Sequence, residues 1–260
     1  MRTDADRLRE ADRNFIGSYE KLVQHVDGAS ARWFGPAFAF VTGLRVGIFN
    51  GVVVLEPADA TDVEAAASWV GDAGVPHGAW MREGLGDELP RRLEARGFER
   101  LSWVEPVMAI EPPAEVPPPA PGVSVREVLD EADLEEQRRS IIAGGVDEEF
   151  VRHLWSPPMA SDPDVRMFTA YLDGKPMGNS IAIRSGKTSG VYGVGTRPEA
   201  RRRGVGTAAT WAAVDAGRQW GCPLVVLQSS DIGFGVYRAM GFSVIDRLVM
   251  LRRAPAVAPR

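Results

Sequence analysis

What this 260-residue chain lacks narrows its chemistry before any motif is considered. Cys222 is the only cysteine, which excludes an internal disulfide and any metal site built from several thiolates. The three histidines, His25, His77 and His153, are scattered with no H-x-x-x-H spacing, so no metal site is expected. No run approaches the ~18 apolar residues of a membrane span. The opening stretch MRTDADRLREADR has no apolar core for a signal peptide, so a cytoplasmic protein with no membrane partner is expected. Basic charge is short as well: 30 Lys and Arg against 35 Asp and Glu leave a formal −5, which argues against a nucleic-acid partner. Finally, no G-x-x-x-x-G-K-[S/T] exists, so a P-loop NTPase fails.

What is present is ordinary globular material, 45% hydrophobic and 25% charged, long enough for two domains. Proline is concentrated in one place. Pro112-Pro113-Ala114-Glu115-Val116-Pro117-Pro118-Pro119-Ala120-Pro121 forbids a regular element and reads as an extended, semi-rigid connector. The expected division is residues 1–111, a linker over 112–122, and 123–260. After the linker, alternation and turn signals give strands at 123–127, 165–172, 176–183, 189–196, 224–228 and 242–251. Helices are expected at 131–142, 147–154, 207–220 and 233–240.

The first half repeats the later part of this order. A helix over 61–70 ending in Asp72-Ala73-Gly74-Val75-Pro76 echoes Asp215-Ala216-Gly217 followed by Gly221-Cys222-Pro223. Leu93-Glu94-Ala95-Arg96-Gly97-Phe98 and a strand over 101–110 parallel Tyr237-Arg238-Ala239-Met240-Gly241-Phe242 and its strand.

The chemistry concentrates in Pro198-Glu199-Ala200-Arg201-Arg202-Arg203-Gly204-Val205-Gly206-Thr207, between a strand and an Ala-rich helix. Two close glycines let backbone approach an anion with no Cβ in the way. The helix N-terminus adds free N–H groups and the positive end of its dipole. At the matching place the first half has Glu56-Pro57-Ala58-Asp59-Ala60, acidic, without glycines, and with a proline that has no N–H to offer.

These residues resemble the GNAT superfamily of N-acetyltransferases, whose acyl-CoA loop reads [Q/R]-x-x-G-x-[G/A]; Arg201-Arg202-Arg203-Gly204-Val205-Gly206 fits it, followed by Thr207. Val194-Gly195-Thr196 stands where the family pairs backbone with the pantetheine arm, and Pro198 where it commonly has proline. Tyr237-Arg238-Ala239-Met240-Gly241-Phe242, preceded by Ser230-Asp231-Ile232-Gly233, matches the family's Y-x-x-x-G-F helix. The resemblance covers about residues 123–253. It implies an α/β (α+β) fold of two tandem GNAT-like domains, each a mixed, mostly antiparallel sheet flanked by helices, the first degenerate.

It further implies acetyl-CoA as co-substrate, held by Val194 to Thr196, Arg201 to Thr207, Ser230 and Gly233, and direct attack by a primary amine, expected on a small molecule, on the thioester. Tyr237 would donate a proton to the departing thiolate. The general base stays open: residues 187–197 and 224–228 contain no Asp or Glu, Glu199 reads as a solvated turn residue, and Asp231 as a helix cap. For the first half, either a scaffold shaping the acceptor pocket or an inter-chain contact, as in a homodimer, is expected. Trp33, Phe34, Phe38 and Phe40 fit an acceptor pocket or, more simply, a core strand. Two alternatives compete. One is a non-catalytic CoA-binding module that has lost its base. The other is an NAD(P)-binding oxidoreductase, since Gly204-Val205-Gly206-Thr207-Ala208-Ala209 satisfies G-x-G-x-x-A; its place late in the chain argues against it.

Overall fold

A computed structural model of the chain describes residues 3–112 and 115–254. The first half of the sequence forms α1 (Asp4–His25), β1 (Ser30–Phe34), β2 (Ala37–Val41), β3 (Asn50–Val54), α2 (Ala60–Gly71), β4 (His77–Arg82), α3 (Glu88–Ala95), β5 (Glu99–Arg100) and β6 (Glu105–Ile110). The second half forms β7 (Val123–Glu127), α4 (Glu131–Ala143), α5 (Glu148–Leu154), α6 (Pro157–Ala160), β8 (Val165–Leu172), β9 (Lys175–Ser185), β10 (Thr188–Thr196), α7 (Val205–Gln219), β11 (Leu224–Gln228), α8 (Asp231–Ala239) and β12 (Ser243–Arg253). Among the described residues no helix is long and apolar enough to cross a membrane.

These elements make two compact units that are not consecutive stretches of chain. The first comprises Met1–Ser18, Met108–Leu227 and Gly233–Ser243; the second comprises Tyr19–Val107, Gln228–Ile232 and Val244–Arg260. In the first unit the strand order is β7-β8-β9-β10-β11, with the Met108–Ile110 end of β6 beside β11. Its pairs from β7 to β10 are antiparallel, and β10–β11 is parallel. In the second unit the order is β1-β2-β3-β4-β12, with β5 also on β12. There β3–β4 is the parallel pair, crossed over by α2, and β1–β2, β2–β3, β4–β12 and β5–β12 are antiparallel. Both units are therefore mixed, mostly antiparallel sheets with one strand–helix–strand crossover, α7 in one and α2 in the other. Among the described residues there is no run of parallel strands such as a doubly wound dinucleotide-binding sheet needs.

Local chemistry accounts for the elements around the glycine-rich loop. Asp173 and Gly174 both take positive φ, 51° and 77°, the two-residue hairpin turn that joins β8 to β9. Asp130 and Asp147 cap α4 and α5 by accepting from the N–H groups of Asp133 and Phe150, each at 2.9 Å. Helix α7 buries Val205, Ala208 and Ala209 against Val123, Ala170 and Leu172. Its small residues let it lie close to the sheet: a Cβ on Gly217 would stand 2.8 Å from Val225 and 2.9 Å from Ser189. The Ser180 hydroxyl on β9 then reaches the Ala209 carbonyl at 2.7 Å.

Two sequence expectations need correction. The strand expected over 101–110 is interrupted: β5 ends at Arg100 and β6 starts at Glu105. The intervening turn lets the Trp103 indole N–H donate to the Ser229 carbonyl at 3.1 Å. Helix α1 was given no element by the sequence reading, because its opening turns are charged. Its buried face is Ala11, Phe15, Ser18 and Leu22, spaced by one or two helical turns.

The start of α1 is tied to the first unit by Asn14, which is fully buried. Its amide donates to the Ile183 and Thr188 carbonyls, both at 3.0 Å, and its oxygen accepts from the Tyr192 hydroxyl at 2.7 Å. Asn14→Ala should leave those groups buried and unpaired and cost about 2–3 kcal/mol. Urea unfolding of the full chain, with an unchanged m-value, is the measurement.

Candidate functional site

The site begins where two strands part. Strand β10 pairs with β11 only from Thr188–Leu224 to Gly190–Val226. On its other side β10 stays with β9 to Thr196, with a register shift between Tyr192 and Gly195. Gly193 in that bulge has φ +55°, and the Asn179 side-chain amide donates to its carbonyl. The segment Val194-Gly195-Thr196 is thus half-buried, fixed along one edge by β9, and unpaired with β11 along the other.

The chain then passes through a single turn of 3-10 helix, Pro198–Ala200, into the loop. Arg202 takes φ +60° and Gly204 φ +82°, so the backbone reverses twice within three residues before α7 starts. The first is unusual for a residue with a side chain; the second requires glycine in practice, since a Cβ there would also stand 2.8 Å from Ala120. No side chain caps α7, and its first ladder bond is Ala208 N–H to Gly204 C=O. The N–H groups of Val205, Gly206 and Thr207 accordingly have no intrahelical acceptor. Arg201, Arg202 and Arg203 are exposed around them, Arg203 lying 3.4 Å from Asp173. A Cβ on Gly206 would stand 2.8 Å from the Thr196 hydroxyl, so the loop and the end of β10 are in contact. Exposed N–H groups, a helix dipole and three guanidinium groups in one place suit a multiply charged phosphate ester.

Helix α8 follows β11 and carries Tyr237. Tyr237 is buried, its ring edge-on to Phe242 at 5.9 Å, and burial pushes its phenol up to about 12. It therefore keeps its proton at any ordinary pH. Gly233 lies on the same helix in the same unit, whereas Ser230 falls in the Gln228–Ile232 segment of the second unit. The acidic residues considered as bases are engaged or exposed: Glu199 pairs with Arg197 at 2.8 Å, and Asp231 opens α8.

Residues 123–228 match the family described as acetyltransferase (GNAT) domain. The fold of this chain is shared with a GCN5-related N-acetyltransferase from Kribbella flavida at 23% identity, with 95% of each chain covered and a TM-score of 0.70. A GCN5-related N-acetyltransferase from Sphaerobacter thermophilus matches at 19% identity over 99% of this chain and 96% of the other, TM-score 0.61. A tandem GNAT protein of clavulanic acid biosynthesis matches at 13% identity over 99% and 97%, TM-score 0.58. No curated protein matches the chain.

The aromatic residues of the first half divide. Phe38 and Phe40 are core, Phe40 stacked on Tyr19 at 4.0 Å, while Trp33 is half exposed. One ionisable group of the second unit was missed by the sequence reading. Glu105, at the head of β6, has its carboxyl raised to about 7 by burial. Its only sequence signal was an acid opening the apolar run Pro106-Val107-Met108-Ala109-Ile110. A carboxyl whose folded pKa lies above its ordinary 4.5 holds its proton in the native state while the unfolded chain has lost it. Its contribution is thus favourable below about 4.5 and is lost as pH rises through about 7. Glu105→Gln should leave thermal stability at pH 5 nearly unchanged and raise it at pH 8, flattening the decline; equal shifts at both pH values would show that the carboxyl does not titrate this way.

Proposed function

We propose that this protein is an acetyl-CoA-dependent N-acetyltransferase that passes the acetyl group to a primary amine of a small molecule by direct attack on the thioester. The observation that carries this reading is the parting of β10 from β11 next to the uncapped start of α7: an unpaired strand edge and a cluster of N–H groups, joined by a loop whose glycines keep side chains out of the way. Acetyl-CoA brings the activated acyl thioester, whose C–S bond breaks as the C–N bond forms.

In this reading the N–H groups of Val205 to Thr207 and the guanidinium groups of Arg201 to Arg203 hold the pyrophosphate. The open edge of Val194 to Thr196 pairs with the amide groups of the pantetheine arm, as an added strand does. A backbone N–H at that edge polarises the thioester carbonyl as negative charge develops on its oxygen. Tyr237 stabilises the sulfur. A phenol near 12 will not surrender its proton fully to a thiolate near 8.5, so it acts as a hydrogen-bond donor to the leaving group. This places its effect at the low end of acid catalysis. The first half contributes no second cofactor site. Asp59 precedes α2 and Asp62 lies in its first turn, the Asp62 carboxylate filling the space a Cβ on Gly35 would need. Negative charge at the helix start replaces an anion there.

Calorimetric titration with acetyl-CoA tests the cradle: one molecule should bind per chain, and Gly206→Asp should weaken binding at least tenfold, about 1.4 kcal/mol. The added side chain meets the Thr196 hydroxyl and puts like charge against the pyrophosphate. Two equivalent sites, or unchanged affinity in the folded variant, would sink this reading. Binding without turnover across a broad amine panel would favour a non-catalytic CoA-binding module.

For the chemistry, Tyr237→Phe should lower kcat about 10–100-fold with acetyl-CoA affinity nearly unchanged, because the hydroxyl is needed as the thiolate leaves. With its phenol near 12, Tyr237 should produce no fall in kcat between pH 7 and pH 10. Normal turnover of the variant throughout that range would reduce Tyr237 to a packing residue.

A further inference from the structure

The start of β6 and the end of β11 bring a carboxyl and an amide together in the second unit. The Ser229 N–H donates to the Pro106 carbonyl at 2.9 Å. Proline has no N–H to return, and the Ser229 carbonyl instead accepts from the Trp103 indole at 3.1 Å. Strand β11 ends at Gln228 and β6 begins at Glu105, so two strands that are neighbours in the sheet and joined by this bond overlap only if they run antiparallel. Pro106 then stands opposite Ser229, Glu105 opposite Ser230 and Val107 opposite Gln228. Because side chains alternate along each strand, Glu105, Ser230 and Gln228 share one face.

Two features set this face apart from ordinary strand packing. The Gln228 side-chain Nε2 is buried and has no hydrogen-bond partner among the described residues, a donor left over by the fold. Glu105 is only partly covered, yet burial holds its carboxyl up at about 7. No charged group contributes to that rise. On the flanking strand β12, Asp246 is paired with Arg82 at 2.8 Å and Arg247 is exposed, and Asp231, beyond the end of β11, is exposed as well. A carboxyl in this state destabilises the fold once it ionises. Packing gives no reason for it, since a glutamine would fill the same space without the charge.

Position along the chain ties this face to the transfer step. The last β10–β11 pair is Gly190–Val226, and Gln228 lies two residues further along β11, on the stretch that has left β10. The departure of that stretch opens the edge proposed for the acyl thioester. Strands β10 and β11 hold no acid, and the strand next to β11 supplies one at its first residue. Resting on the acetyl-transfer reading above, we infer that Glu105 receives, through one water held with the Gln228 amide, the proton that the acceptor ammonium must lose. The electron pair freed on nitrogen forms the C–N bond as the C–S bond breaks. The second nitrogen proton passes to the departing thiolate, and Glu105 returns the first to solvent. A carboxyl near 7 suits both halves of that task, being mostly ionised at pH 8 and a stronger base than an ordinary carboxylate near 4.5.

The test uses the full chain with saturating acetyl-CoA and two probe amines: propylamine, which arrives as an ammonium ion, and hydroxylamine, which is neutral at pH 8 and has no such proton to lose. Rates are taken above the uncatalysed background. With propylamine, wild-type kcat should rise with pH through about 7 as the carboxyl ionises. Glu105→Gln should lower that kcat about 100-fold at pH 8, abolish the rise, and leave the hydroxylamine rate nearly unchanged. The variant should be at least as stable as wild type at this pH, where it removes a buried charge, so unfolding does not imitate the result. A separate readout needs no turnover. In protein labelled with carbon-13 at its glutamate carboxyls, the signal missing from Glu105→Gln should titrate with a midpoint near 7. Equal losses with both amines, a rise that persists in the variant, or a midpoint near the ordinary 4.5 would overturn Glu105 as the proton acceptor and leave the transferase reading in place. A wild-type chain that binds acetyl-CoA and acetylates neither amine would overturn the transferase reading itself, and the proton acceptor with it.

Discussion

The early end of pairing between β10 and β11 is the constraint on which the rest of the first unit turns. Two parallel strands that stay together for three residue pairs and then separate leave backbone donors and acceptors along one edge without partners. Unpaired backbone groups are costly when buried and have to be satisfied by something. The surrounding structure is arranged to keep that edge available. Strand β9 fixes the other edge through the bulge at Gly193, and the Asn179 side-chain amide holds the bulge by donating to the Gly193 carbonyl. Helix α7 must follow immediately, so its positive end faces the same opening. The glycines at 204 and 206 are consequences of this geometry, one by conformation and one by contact with Thr196.

The same topology without this chemistry appears in the second unit. There, too, an antiparallel hairpin leads into a parallel strand pair joined by one helix, β3–α2–β4. The repeated Gly-Phe sequences have matching buried phenylalanines, Phe98 and Phe242. At the helix start, however, Pro57, Asp59 and Asp62 stand in place of arginines and glycines. Fold was thus retained by the apolar pattern, which only needs residues of suitable size at alternate positions. Anion binding makes a narrower demand, since it depends on particular residues at particular places.

That distinction also explains how far the sequence could be read. Strands 123–127, 165–172 and 224–228 were found at their observed limits because apolar runs bounded by turn residues depend on local information. The loop was legible for the same reason: its glycines, arginines and the following helix are contiguous. What escaped required long-range contact. Helix α1 is bound to the first unit through Asn14 and carbonyls nearly 170 residues away. The elevated carboxyl of Glu105 comes from burial, which a strand's first residue does not announce. The assignment of Met108–Ile110 to one unit and of β12 beyond Ser243 to the other reflects strand pairing, which composition and periodicity do not contain. Proline density rightly excluded regular structure from the connector, yet it carries no signal that Glu115 and Pro117 line a groove.

The missing carboxylates on β10 and β11 bear on the acceptor. An alkylamine with the pKa of a lysine side chain is neutral in about one molecule in a thousand at pH 7.4, a handicap of about 4 kcal/mol against attack. A base on either strand would remove the proton within the bound complex, but neither strand has one. On the proposed mechanism the proton has to leave through water, or the amine has to arrive without it. Both routes favour acceptors whose ammonium form is already weakened, by a neighbouring positive charge or by electron-withdrawing substituents. In that mechanism the acetyl group would impose no such selection, since the thiolate of CoA is an adequate leaving group once Tyr237 donates to it. On the proposed mechanism, discrimination would therefore rest on the amine, and on the acidity of its conjugate acid before its shape.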